Sequence, residues 1–148
     1  MHMSRRVLGV AFFLLLSPAV FAQTKVKIIP EGWLPALAPA IKSALDQLRE
    51  ANSQNEMNSI SREVADLTDA QLFIAYVRLY ERLSSKEREK LVAEQARWLK
   101  DRPKAARKGI ESEGGSLAPL EANNAEVTYT EQRLAELRAR LKTAEKKP

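Results

Sequence analysis

The chain has 148 residues, with 24 Lys and Arg against 19 Asp and Glu, one histidine and no cysteine. That length suits one domain with a modest core. Lack of cysteine excludes disulfides, thiolate nucleophiles and cysteine metal sites, and a formal charge of +5 is too mild to demand nucleic acid.

The opening stretch, MHMSRRVLGVAFFLLLSPAVFAQ, has the three parts of a secretory signal. Arg5 and Arg6 form the charged start, and Val7 to Leu16 form an apolar core. That core is shorter than the roughly 20 residues needed to span a bilayer. Ser17 and Pro18 end it, and Val20 and Ala22 place small or permissive side chains before a cut between Ala22 and Gln23. No cysteine follows, so no lipid-modified N-terminus is expected. Removing residues 1–22 takes away Arg5, Arg6 and the sole histidine, His2, and leaves 126 of the 148 residues at a charge of +3. The expected destination is the periplasm or the exterior. Disulfides persist there, yet this domain must hold together by packing alone.

Residues 23–31, QTKVKIIPE, read as a tether, and residues 32–148 as the domain. Trp33, Leu34, Leu37, Ile41, Leu45 and Leu48 recur three or four apart and predict a helix over 36–51, its first turn disturbed by Pro39. Asn52 and Ser53 are good caps. Met57, Ile60, Val64, Leu67, Ile74, Val77 and Tyr80 then predict a long helix over 53–83, with a break near 66–70 where Thr68 would cap a second half. Ser84 and Glu87 have capping-box spacing. The helix they start carries Leu91, Trp98 and Leu99, and Pro103 is expected to kink or stop it near 100–103. KAARKGIESE resumes as helix in this reading. Gly114 and Gly115 are expected to end that helix in the left-handed conformation, with Ser116 capping the next and Pro119 in its first turn. A final helix is predicted over 117–143, with Leu117, Leu120, Val127, Leu134, Leu137 and Leu141 as its apolar positions. No strand pattern or repeat occurs. The fold class is all-α: a single bundle of about four helices with a Gly-Gly-Ser interhelical turn.

Little in this sequence does chemistry. Without a histidine or cysteine in the mature chain, the usual general base and most metal sites are missing, and no cofactor or metal is expected. Ser84, Ser85 and Lys86 are explained by capping. Glu63, Asp66 and Asp69 fall three apart beside Arg62, the pattern of a solvated helix face. EGGS lacks the lysine and spacing of a phosphate loop. Basic residues gather at Lys104, Arg107 and Lys108 and again at Arg138, Arg140, Lys142, Lys146 and Lys147, where they solubilise a helix end or face an anionic partner. Trp98 and Arg102 stand four apart, so the arginine stem is expected to lie along the indole.

SQNEMN (53–58), AYVRLYERLS (75–84), LVAEQARWLKDR (91–102), GGSLAP (114–119) and TYTEQRLAEL (128–137), in that order, resemble the LprI-like lysozyme-inhibitor family of small exported bacterial proteins. The resemblance covers about 90 residues. It implies a helical binding protein with a lysozyme-type muramidase as partner. Trp98 and Arg102 carry over as signature positions, and Gly114, Gly115, Ser116 and Pro119 as the exposed turn. Family members usually have cysteines where this chain has Leu48, Ile60, Ala106 and Ala125, and aspartate where it has Pro103. The resemblance implies that packing replaces their disulfides. An envelope adaptor role through amphipathic helices and the basic tail is the alternative reading. The charge requires neither nucleic acid nor a membrane surface.

Overall fold

Four helices follow one another in the computed structural model: α1 (Leu37–Glu50), α2 (Gln54–Arg82), α3 (Ser85–Lys108) and α4 (Ala118–Glu145). The structure describes Ile28, residues 37–112 and residues 114–146. The leader, the tether apart from Ile28, and Trp33 and Leu34 lie outside the described residues. The fold is an all-α bundle, with no strand among the described residues.

The sequence sets most boundaries through caps. The Ser53 hydroxyl accepts the Glu56 N–H at 3.2 Å, and the Asn52 N–H donates to the Glu56 carboxylate at 3.0 Å. Ser84 and Glu87 form the full capping box. Pro39 sits in the first turn of α1, where its missing N–H has no helical acceptor to lose. An expected break in α2 and an expected stop in α3 do not occur. α2 runs unbroken through 66–70, because Thr68 is buried and its hydroxyl donates back to the Val64 carbonyl at 2.7 Å instead of capping a new helix. α3 runs through Pro103 to Lys108. Pro103 and Leu99 are both exposed, so the Leu99 carbonyl that the proline leaves unpaired is on a hydrated side.

Two boundaries are displaced. α3 ends at Gly109, not at Gly114 and Gly115, and KAARKGIESE is not continuous helix. α4 is preceded by Leu117 without a side-chain cap, so Ser116 is not the capping residue, although Pro119 does fall in the first turn. The physical reason is a close approach. A Cβ on Gly109 would sit 2.3 Å from the Ala125 Cβ, so the chain leaves α3 where glycine lets α4 pass.

α4 packs along α2 as the main seam, α1 lies on α2, and α3 lies on α4. Leu72, Ala75, Leu79, Leu91, Leu134 and Leu137 form the larger core cluster, and Ala44, Ile60 and Val64 the smaller. Each fully buried leucine is worth about 1.5–3 kcal/mol relative to exposure. Small residues line the seam: Ser61 and Ala65 on α2 are buried, as is Thr130 on α4. Leu45, Leu99 and Leu117 stand at expected apolar positions but are 38, 49 and 47% exposed.

Candidate functional site

The turn after α3 is built from both flanks. Glu121, in the first turn of α4, takes three hydrogen bonds on one carboxylate oxygen: the Ser112 hydroxyl at 2.7 Å and the N–H groups of Ser112 and Glu111 at 3.0 and 3.1 Å. The Ser112 hydroxyl and then the Ser112 N–H, with a lesser share from the Glu111 N–H, hold the Glu121 carboxyl below its ordinary value of 4.5 against the opposing effect of burial. On the other flank the Asn58 amide of α2 donates to the Ser116 carbonyl at 3.1 Å. Gln54 donates to Asn58 at 2.9 Å, and the buried Asn123 amide ties the Asn58 carbonyl and the Ser61 hydroxyl together. Between these anchors the backbone turns through Gly114 at φ 74° and Gly115 at φ 130°. Both lie in the region that favours glycine, and nothing stands within 4 Å of a Cβ placed on either. Gly114, Gly115 and Ser116 are exposed, and so is Pro119. The result is a projecting tip on a fixed base.

Trp98 and Arg102 do come together. The guanidinium carbon lies 5.4 Å from the indole centroid, and the other partner of Trp98 is Tyr129 of α4, stacked at 5.3 Å with 7° between the rings. Arg102 then spans three helices. It donates to Asp69 of α2 at 2.5 Å and pairs with Glu126 of α4 at 3.6 Å. Glu126 also accepts from Arg62, which pairs with Asp66. Asp69 is thus tied to α3 while its side chain stays 44% exposed, and Glu63 and Asp66 are exposed as a solvated face requires. A second network surrounds Glu94. Burial pushes its carboxyl up, but the hydrogen bond from Arg140 and the charges of Arg140, Lys90 and Arg133 outweigh that and hold it low. Arg133 is buried, bonded to Gln95 and Glu136, and one of its nitrogens has no hydrogen-bond partner.

These arrangements brace the helices against one another through polar side chains. Among the described residues no group of three or more His, Asp and Glu is placed to hold a metal ion, and no helix is long and apolar enough to cross a membrane. The family model described as Lysozyme inhibitor LprI matches residues 45–137. The chain belongs to this LprI family. No curated protein and no solved structure matches it. The LprI region contains both the braced turn and the Trp98–Arg102 network. It also holds the four places where cysteines are expected from the resemblance. Leu48 packs against the smaller apolar cluster, of which Ile60 is a member. Ala125 meets Gly109, whose N–H bonds the Ala106 carbonyl.

Sequence reasoning missed Asn58, Asn123 and Glu121 as holders of the turn, and Asp69, Glu126 and Tyr129 as partners of the Trp98–Arg102 pair. QNEMN was visible as a motif, but its link to Ser116 spans 58 residues, and no local pattern announces a contact of that range.

Proposed function

We propose that the chain is an exported, non-enzymatic binding protein that inhibits a lysozyme-type muramidase by occlusion, with the 109–117 turn as the inserted element. The observation that carries this reading is the braced, glycine-tipped loop in a member of a lysozyme-inhibitor family. A loop fixed at both flanks loses little freedom on binding, which is where affinity is usually lost. A muramidase cleft carries paired carboxylates across the scissile bond. The exposed Ser116 hydroxyl at the tip is a donor suited to them, while the Gly114 N–H is held by the Ser112 carbonyl at 2.7 Å. The non-enzymatic part rests on the sequence, whose sole histidine lies in the leader and which has no cysteine.

The adaptor reading has less support. Arg138 bonds Gln71 of α2 and Arg140 bonds Glu94 of α3, so part of the basic tail serves the bundle itself.

A turbidity assay tests the proposal. Purified protein at micromolar concentration should slow lysis by at least one lysozyme class. Ser116→Trp should abolish that effect while leaving the melting temperature unchanged, because Ser116 is exposed. Undiminished lysis with the wild-type chain against several lysozyme classes would remove the reading.

A further inference from the structure

α2 and α3 face each other across a gap. Phe73 and Tyr76 on one side and Val92, Ala96 and Leu99 on the other line an open groove of about 360 Å³, and Asp69 is its only ionised lining residue. Three of these are large apolar side chains in water: Phe73 is 64% exposed, Val92 48% and Leu99 49%. A cluster of this kind marks a contact surface.

The charges around the groove say what fits it. At the Asp69 end, the ion-pair network of Asp66, Asp69 and Glu126 with Arg62 and Arg102 holds one carboxylate more than it holds guanidinium groups, and exposed Lys100 follows Leu99 on the rim. Asp69 Oδ1 accepts from Arg102, and Oδ2 has no partner among the described residues. At the other end Arg88 lies 4.9 Å from the Tyr80 ring centroid and donates to the carbonyls of Tyr80 and Glu81, where the C-terminus of α2 is itself negative.

We propose that this groove receives a lysine or arginine side chain of a basic partner protein. The aliphatic stem would run along Val92 and Leu99, the aromatic faces of Phe73 and Tyr76 would flank it, and the cationic head would reach Asp69. Resting on the reading above, the partner is a basic muramidase, and the groove is a second contact besides the loop tip. It supplies local attraction that the overall positive charge of the inhibitor does not.

Ala96 is an exposed helical lining residue, and Glu and Lys are equally good helix formers there. Calorimetric titration of the purified chain into a strongly basic lysozyme at low salt should give Ala96→Lys an affinity at least tenfold below that of Ala96→Glu. Leu99→Ser should bind several-fold more weakly than wild type, with unchanged melting temperatures throughout. If wild type binds and inhibits but the two Ala96 variants bind equally, the groove assignment falls and the inhibitor reading stands. A wild-type chain that neither binds nor inhibits removes both.

Discussion

α2 meets α4 and α3 in two different ways. Its inner face carries Ser61, Ala65, Thr68, Leu72, Ala75 and Leu79, all buried, and it packs closely along α4, while Leu72 also reaches the floor of the groove toward α3. Toward α3 it offers Phe73 and Tyr76, and an open groove separates them from Val92 and Leu99. Small and hydroxyl-bearing side chains let helices approach, with the hydroxyls bonded inside their own helix at Val64 and Asn58. Large apolar side chains on facing helices hold them apart unless something fills the space between. One helix thus has a finished side and an unfinished one, and the polar bridges Arg88 and Arg102 stand at the two ends of the unfinished side.

The largest test of this contrast is a pair of leucine truncations. Leu79→Ala removes a side chain with no exposure from the finished side and should cost about 2–5 kcal/mol in denaturant unfolding. Leu99→Ala, on the groove, should stay within about 0.5 kcal/mol. Equal losses would show that the groove closes in solution.

The next effect is at the α3–α4 turn. Gly109→Ala puts a Cβ where Ala125 already is and should cost about 1–3 kcal/mol through overpacking. Adding Ala125→Gly should restore most of it. Failure of the double variant to recover would mean that Gly109 is needed for its backbone and not for the space it leaves. Arg102→Ala should cost somewhat less, about 1–2 kcal/mol, since the side chain is 22% exposed and its bonds to Asp69 and Glu126 are partly screened. Arg102→Lys should recover little, because one ammonium does not serve two carboxylates and an indole face together. Faster amide exchange should then appear in the second half of α3 and spare the α2–α4 seam.

How much of this was legible in the sequence depended on range. Ser53, Ser84 with Glu87, and Pro119 act within one turn of themselves, and the helix starts they predict are found. The Trp98–Arg102 contact is also local, four residues long, and it forms. Thr68 departs from its expected capping role because a hydroxyl in a helix has two local options, capping a new turn or bonding the carbonyl four residues back, and burial decides between them. Gly109 ends α3 in place of Gly114 and Gly115, and no local pattern announces it because the need for it comes from Ala125, sixteen positions along. The same holds for the turn itself: its glycines were visible, but the Asn58, Asn123 and Glu121 contacts that fix it come from other elements.

The smallest effect concerns that turn and sets a pH dependence. Glu121 titrates below 4.5 in the folded chain because its charged form holds Ser112 and Glu111. A carboxyl depressed by folding contributes stability that is complete above its unfolded value and is lost as pH falls through the lower folded value. Protection of the Ser112 and Glu111 amides against hydrogen exchange should therefore be constant from neutral pH to about 4.5 and fall in more acid solution. Glu121→Gln keeps an acceptor oxygen but not the charge, so protection should be lower at neutral pH and flat with acid. Because the carboxylate acts on the loop and not on the core, global unfolding should barely move. A variant that loses stability throughout the α2–α4 seam would show instead that the turn and the bundle fold as one unit, and the loop would then owe its shape to the core more than to its own anchors.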